Sequence, residues 1–204
     1  MKGKYPEYPW EPISDVRDMF VKAARVHAQR TALQYKSNGR WVPITYRELH
    51  TAVAQFACGL AALGLQPRQG KLAIVGENRP EWAIAYLAAA CTGIVCVPID
   101  KDLQQTEVYH ILYLSGAEAV VGDARHVPML QEIRKKLPGL RHLIGMDERG
   151  NGDHVQGFEQ LKALGRARME AGHNDFDQRT VQPDDLLAIL FTSGTMGNSK
   201  GVML

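Results

Sequence analysis

The stretch Phe191-Thr192-Ser193-Gly194-Thr195-Met196-Gly197-Asn198-Ser199-Lys200-Gly201-Val202 combines three glycines, several hydroxyl side chains and one lysine. It follows the apolar run Leu186–Leu190, which is too short for a helix and predicts a buried strand. Glycines let backbone N–H groups turn toward a ligand, and such groups form a nest for anions. Hydroxyl groups add donors, and Lys200 adds a mobile positive charge. The stretch therefore predicts a site for a polyphosphate.

Two other interpretations fit this stretch less well. A Ser/Gly-rich surface turn is the plainer one, but it does not explain why the stretch follows a buried strand directly. The Walker A pattern G-x-x-x-x-G-K-[ST] would need glycine at Ser199 and a hydroxyl residue at Gly201, so it fails twice. The dinucleotide fingerprint G-x-G-x-x-G does not occur in the chain.

Composition places the chain among globular proteins of one sizeable core. It has 204 residues, 45% of them apolar, and a formal net charge of +2. No block of five like charges occurs, so nucleic acid or an anionic membrane is not indicated as the main partner. Residues 1–10 are polar and interrupted by proline, unlike a signal peptide, and no run of 18 apolar residues predicts a membrane span.

The three cysteines predict buried thiols rather than a redox or metal site. Cys58, Cys91 and Cys96 lie in apolar surroundings, and none is in a C-x-x-C pair. The seven histidines show no metal-ligand spacing. Those at 27, 50 and 110 fall on predicted helices, as partly exposed residues.

The first third of the chain predicts a helix, a hairpin and a second helix. A helix is expected over residues 14–28, followed by strands at 32–35 and 41–44 around the turn pair Asn38-Gly39. Thr45 and Glu48 form a capping-box pattern at the start of a helix that ends near Gly64.

From residue 71 onward, strand and helix patterns alternate. Strands are predicted at 72–75, 94–97, 119–121, 142–144 and 186–191, with helices at 80–90, 106–114, 128–137 and 158–164. This order predicts an α/β fold with a largely parallel sheet, helices on both faces and a helix–hairpin–helix segment before it. Residues 166–185 are rich in charge and predict a solvated linker or insertion.

Ligands of such sheets bind beyond the carboxyl ends of the strands, where residues 192–200 are expected to lie. The stretch Gly76–Trp82 leaves another strand at the same end. It is either a wall of the site or a strand-to-helix turn in which Asn78 helps to cap the helix, and the turn is the favoured interpretation.

The stretch at residues 191–202 resembles the phosphate loop of the adenylate-forming superfamily, which is written T-S-G-T-T-G-x-P-K-G-V. Residues 192–195, Gly197 and residues 200–202 match, whereas Met196 replaces a threonine and Ser199 a proline. Thr45-Tyr46-Arg47-Glu48-Leu49 is similar to the T-Y-x-E-L of these enzymes. Residues 76–82 and 97–100 are similar to the long-chain fatty-acyl-CoA synthetase branch.

The resemblance implies an ATP-dependent fatty-acid–CoA ligase. In such enzymes a carboxylate attacks the α-phosphate of ATP, and the thiol of coenzyme A then displaces AMP. The residues implied to bind ATP are Thr192, Ser193, Gly194, Thr195, Gly197 and Lys200, with Thr192 also near Mg²⁺. The implied partners are a fatty acid or other carboxylate, ATP and CoA, at a cytoplasmic location or at the periphery of a membrane.

The later motifs of the superfamily are not in the 204 residues, and no catalytic residue is assigned among them. We therefore expect a partial N-terminal AMP-binding domain over 1–204, with a lead-in at 1–69 and a sheet subdomain at 70–204, inactive on its own. Self-association through the strand edge after Val202 is also expected. Two alternatives stay open, a non-catalytic nucleotide- or phosphate-binding module and a structural domain with a relic loop.

Overall fold

The computed structural model describes residues 11–147, 155–192 and 200–204. The helices are α1 Val16–Val26, α2 Tyr46–Ala62, α3 Pro80–Cys91, α4 Gln105–Ser115, α5 Val127–Lys136, α6 Phe158–Glu170 and α7 Asp175–Gln178. The strands are β1 Thr31–Ser37, β2 Arg40–Thr45, β3 Lys71–Val75, β4 Val95–Ile99, β5 Ala119–Gly122, β6 His142–Gly145, β7 Val155–Gly157, β8 Ile189–Thr192 and β9 Lys200–Met203.

A five-stranded parallel sheet in the order β4-β3-β5-β6-β7 forms the centre of the fold. In its central register, Leu72 lies beside Cys96 on β4 and beside Ala119 on β5. Helices cover both faces, because a parallel sheet must bury both of its sides. The predicted α/β class, with a helix–hairpin–helix segment before the sheet, is confirmed.

Alternation along β3 assigns each side chain to a face of the sheet. Leu72 and Ile74 pack into an apolar cluster with residues of α2, α3 and α6. Ala73 and Val75 pack into a second cluster with residues of α4 and α5. Because complete burial of an aliphatic side chain contributes about 1.5–3 kcal/mol, these two layers dominate the stability of the fold.

The connections after β3 and β5 leave the sheet toward opposite faces. Helix α3, which follows β3, contributes Ile84 and Ala85 to the first cluster, whereas α5, which follows β5, contributes Val127 and Leu130 to the second. The two strands are neighbours in the sheet. Their divergence creates a switch point at the carboxyl edge, the usual position of a ligand crevice in doubly wound sheets.

The hairpin and capping box before the sheet form as the sequence predicts. Asn38 and Gly39 both have positive φ, 48° and 76°, as a two-residue type I′ turn requires. The backbone N–H of Thr45 donates to Glu48 Oε2 at 2.8 Å, and the Glu48 N–H donates to Thr45 Oγ1 at 3.3 Å. These reciprocal bonds satisfy two donors at the start of α2.

The prediction that residues 186–191 provide the fifth strand of the parallel sheet is wrong. That place belongs to β7, which pairs with β6 through Leu143 and Val155. Strand β8 instead pairs antiparallel with β9 and touches the sheet through a parallel bridge between Ala188 and Cys96. A strand as short as β7 gives no apolar run that a sequence pattern can detect.

The predicted solvated linker at 166–185 is also wrong. Helix α6 continues to Glu170, and α7 buries Phe176 in the first apolar cluster. Arg168 Nε donates to Asp175 Oδ2 at 2.5 Å, and Arg179 Nη2 donates to the Leu65 carbonyl at 2.8 Å. The polar composition reflects paired charges around one buried ring rather than a solvated segment.

Candidate functional site

The candidate phosphate site is bounded by one residue on each strand of the β8–β9 hairpin. Thr192 ends β8 and Lys200 begins β9, and the two are register partners. Both are exposed. The other predicted binding residues, Ser193, Gly194, Thr195 and Gly197, lie outside the described residues.

The direction of β8 decides at which edge of the sheet this site lies. The bridge between Cys96 and Ala188 is parallel, and the Cys96 N–H donates to the Leu187 carbonyl at 2.9 Å. Strand β8 therefore runs in the direction of β4. Thr192 lies beyond that bridge, toward the edge where the parallel strands end.

Gly201 has a packing function next to the lysine. A Cβ at this position would lie 2.8 Å from Ile189 Cγ2 and 3.3 Å from the Phe191 ring. Both of these side chains of β8 pack against the second apolar cluster. Glycine thus allows β9 to lie against β8 and holds Lys200 opposite Thr192.

The turn after β4 carries a set of exposed ion pairs. Lys101 Nζ lies 3.0 Å from Glu77 Oε1 and 3.7 Å from Asp102 Oδ2, and Arg125 Nη1 lies 3.8 Å from Asp102 Oδ1. The hydrogen bond with Glu77 raises the pKa of Lys101. Because the charges are solvated and already paired, each pair contributes at most about 1 kcal/mol to stability.

The stretch Gly76–Trp82 forms the strand-to-helix turn, but Asn78 does not cap α3 as expected. Arg79 is the N-cap residue, and no side chain makes a capping hydrogen bond there. Pro80 in the first turn lacks an N–H group, which leaves one donor fewer to satisfy. Arg79 instead donates to Glu81 Oε2 at 2.7 Å and to Asp147 Oδ1 at 2.5 Å. The hydrogen bond with Glu81 is the main cause that raises the pKa of Arg79.

The same stretch also lines an open groove. The groove has a volume of about 890 Å³ and lies between the β1–β2 hairpin and the start of α3. Tyr35 and Trp41 of the hairpin face Asn78 and Trp82 across it. Residues 78–82 therefore belong to the turn and also form a wall of this groove beside the hairpin.

Sequence reasoning missed a buried, hydrogen-bonded pair of Asp123 and His126 at the switch point. The two residues are 5% and 4% exposed, and His126 Nδ1 lies 2.6 Å from Asp123 Oδ1. Burial opposes ionisation of Asp123, but the hydrogen bonds from His126 and from the Glu77 N–H outweigh it and lower the pKa. A polar residue directly after a buried strand, with histidine three positions on, was the available signal.

The thiols contribute no nucleophile to this edge. Cys58, Cys91 and Cys96 are free and buried, which confirms their predicted burial. Burial raises the pKa of Cys91 to about 12 and that of Cys96 further. A thiol held in its protonated form is a poor nucleophile.

The described residues provide little for a metal ion by themselves. Within 11–147, 155–192 and 200–204, no group of three or more His, Cys, Asp or Glu could hold a metal. Thr192 offers one neutral oxygen. Mg²⁺ in nucleotide sites is bound largely through phosphates and water, so a single hydroxyl group is compatible with such a site without forming one by itself. In the same part of the chain, every helix is too short or too polar to cross a bilayer.

Comparison with known proteins identifies the family. The AMP-binding enzyme family matches residues 20–204. The chain is 28% identical over 188 residues to 3-methylmercaptopropionyl-CoA ligase of Ruegeria lacuscaerulensis, covering 92% of this chain and 34% of that protein. It is 29% identical over 192 residues to a long-chain-fatty-acid–CoA ligase of Rattus norvegicus, covering 93% of this chain and 26% of that protein.

A solved structure has the same α/β fold as this chain. The chain superposes on an anthranilate CoA ligase in complex with anthranoyl-AMP with a TM-score of 0.77 and 21% identity, covering 95% of this chain and 35% of the other. The chain thus spans about a quarter to a third of the length of the curated relatives it matches. With the family pattern extending over residues 20–204, the chain belongs to the AMP-binding enzyme family.

Proposed function

We propose that this chain is the N-terminal, ATP-binding part of an AMP-forming acid–thiol ligase. The whole protein would activate a fatty acid or another carboxylate as an acyl-adenylate and transfer the acyl group to CoA. Membership of the AMP-binding enzyme family supports adenylate formation. The ligase names of relatives at about 28% identity support CoA as the acceptor.

One observation carries this proposal, the pairing of Thr192 with Lys200 at the carboxyl edge of the sheet. The pairing brings a hydroxyl residue and a lysine to adjacent points on two strands, at the two ends of residues 193–199. A segment of that composition, closed at its base, can direct N–H groups and an ammonium group at one anion. The β- and γ-phosphates of ATP carry the matching charge.

The proposed work of these residues is electrostatic. Thr192, Ser193, Gly194, Thr195, Gly197 and Lys200 hold the β- and γ-phosphates in position while negative charge moves onto the leaving pyrophosphate. Donors fixed in advance of the reaction stabilise such charge without reorganisation. Mg²⁺, when bound with ATP near Thr192, would neutralise phosphate charge.

Titration of ATP into the purified chain tests the phosphate site. We expect submillimolar affinity that falls about 10- to 100-fold in Lys200→Ala, because a hydrogen bond to a charged group contributes about 1.5–3 kcal/mol. Lys135→Ala is the matched control, since Lys135 is an exposed lysine of α5 paired with Glu132. Equal affinities of the wild type and Lys200→Ala would refute the assignment of Lys200.

Restoring the residues that the family loop usually carries separates a working loop from a relic. The double change Met196→Thr and Ser199→Pro should strengthen ATP binding if the loop holds phosphate. No gain in the double variant, together with no binding by the wild type, would favour a structural domain.

The reaction of the whole protein is tested separately. The 204 residues alone should form no acyl-adenylate from ATP and a fatty acid, because the proposal assigns them no catalytic residue. Pyrophosphate release by this chain alone would contradict that part. A protein extended to the length of its relatives should release pyrophosphate in the presence of a carboxylate, and panels of fatty acids would then define its substrate.

Domain boundaries, location and assembly belong to the same proposal. The lead-in at 1–69 and the sheet subdomain at 70–204 would be two parts of one N-terminal domain, in the cytoplasm or at the periphery of a membrane.

The exposed side chains of Leu190, Val202 and Met203 on the β8–β9 hairpin favour self-association of the chain. Analytical ultracentrifugation tests this directly, with Met203→Lys expected to shift the population toward monomer.

A further inference from the structure

The switch point of the sheet, where doubly wound folds usually bind a ligand, is occupied by side chains of the chain itself. Asp123 and His126 lie there, between the turns that follow β3 and β5. Asp123 Oδ2 accepts the backbone N–H of Glu77 at 2.9 Å, and its Oδ1 accepts the His126 N–H at 3.2 Å. One carboxylate thus connects the ends of two neighbouring strands.

The imidazole ring extends the connection to a third turn. His126 Nε2 lies 2.9 Å from the backbone carbonyl of Lys101, in the turn after β4. A carbonyl oxygen can only accept a hydrogen bond, and an ionised carboxylate can only accept as well. Two acceptors therefore face the ring, and each of these hydrogen bonds requires a proton on the ring nitrogen that makes it.

The backbone around the pair is shaped to admit it. A Cβ on Gly76 would lie 2.9 Å from Asp123 Oδ2, so glycine makes room for the carboxylate to reach the Glu77 N–H. The other charged groups of these turns point elsewhere. Lys101 and Glu77 pair with each other, Arg125 lies near Asp102, and Asp147 accepts from Arg79 and from the Ala124 N–H.

We propose that Asp123 and His126 are positioning residues that close the switch-point crevice and fix the turn after β4 beside the phosphate site. Strand β4 is the neighbour of β8, because Cys96 bridges Ala188. The turn held by His126 is thus the sheet turn next to the strand that ends at Thr192. The expected effect on ATP binding rests on the proposed function. The connection between the turns does not.

The first test needs no substitution. In the purified chain labelled with ¹⁵N-histidine, the chemical shifts of His126 should report protons on both ring nitrogens. A ring with one unprotonated nitrogen would overturn the proposal, since one of the two acceptors would then have no donor.

The second test compares His126→Leu with Ile133→Ala by amide hydrogen exchange. Ile133 is a buried residue of α5 in the second apolar cluster, so its truncation lowers global stability without removing a bond of the pair. We expect exchange of the Asp102 and Leu103 amides to become about tenfold faster in His126→Leu than in Ile133→Ala at matched global stability. Equal exchange in the two variants would show that the pair is only part of the core.

The third test links the pair to ATP. The affinity for ATP should be about tenfold lower in His126→Leu than in Ile133→Ala, because only the first substitution releases the turn after β4. If the wild type binds no ATP, the proposed function fails, whereas the exchange and chemical-shift results still decide the role of the pair. If the wild type binds and the two variants bind equally, the positioning role is refuted.

Discussion

Substitution of Gly165 by alanine should force apart α2 and α6, two of the helices that cover one face of the sheet. A Cβ at Gly165 would lie 2.6 Å from the Gly59 backbone nitrogen and nearer still to the Gln55 carbonyl. Non-bonded heavy atoms rest at about 3.5 Å, so α6 would have to move away from α2 by about 1 Å or more. The obstacle is helix backbone, which cannot adopt another rotamer.

The cost follows from this geometry. Overpacking costs about 1–3 kcal/mol, and the upper end applies because backbone blocks the new methyl group. Replacing a helical glycine by alanine raises the free energy of unfolding by about 0.5–1 kcal/mol, because alanine restricts the unfolded chain. We expect Gly165→Ala to lower the free energy of unfolding by about 2 kcal/mol, as the difference of these two terms.

Urea unfolding followed by circular dichroism measures this change, provided that the free energy of unfolding has the same slope against urea concentration in each variant. Gly139→Ala is the matched control, because no atom lies within 4 Å of its new Cβ and its φ is not in the left-handed region. It should be neutral or slightly stabilising. If Gly165→Ala were as stable as Gly139→Ala, the close approach of α2 and α6 would not exist in solution.

Four further outcomes are expected. Phe176→Ala should lower stability by about 3–5 kcal/mol in urea unfolding, because its ring is buried in the first apolar cluster, whereas a solvated linker would give almost no change. Gly201→Ala should weaken ATP binding more than it lowers the melting temperature, since its methyl group would push β9 and Lys200 away from Ile189. The unfolding free energy of the wild type should fall more steeply than that of Asp123→Asn as the pH drops below about 4, because a carboxylate whose folded pKa is lowered stabilises only while ionised. Native chain should react with a thiol reagent at pH 8 far more slowly than urea-unfolded chain, since burial raises the pKa of Cys91 to about 12.

Local chemistry made most of the elements predictable. The Asn38-Gly39 turn and the Thr45–Glu48 capping box depend only on residues within a few positions of each other, and both form as expected. The strands β3 to β6 are runs of apolar residues that must be buried on both faces, and their helical crossovers follow from the parallel order.

What the sequence did not predict depends on distant partners. Strand β7 is three residues long and is defined by its ladder with β6 rather than by its composition. Helix α6 extends beyond the predicted 158–164 because Gly165 fits against α2, whereas glycine inside a helix normally signals its end. The bond from His126 to the Lys101 carbonyl joins residues 25 positions apart and needs the assembled sheet.

For the predicted phosphate site, only Thr192 and Lys200 lie within the described residues. The order of strand, glycines and lysine placed residues 192–200 at the carboxyl edge, and the parallel bridge at Ala188 supports that placement for Thr192. The sequence did not predict that β8 would pair with β9 in a separate two-stranded sheet, since that pairing depends on the close approach allowed by Gly201.

The switch point and the end of β8 therefore differ in what their side chains offer to a ligand. At the switch point, the donors and acceptors of Asp123 and His126 are all directed at partners in the chain, and an entering anion would have to displace a carboxylate of its own sign. At the end of β8, the neutral hydroxyl residue Thr192 and the cationic residue Lys200 are both exposed. We therefore expect an anionic ligand at the β8–β9 hairpin rather than at the switch point, with the turn at Lys101 on the strand next to β8.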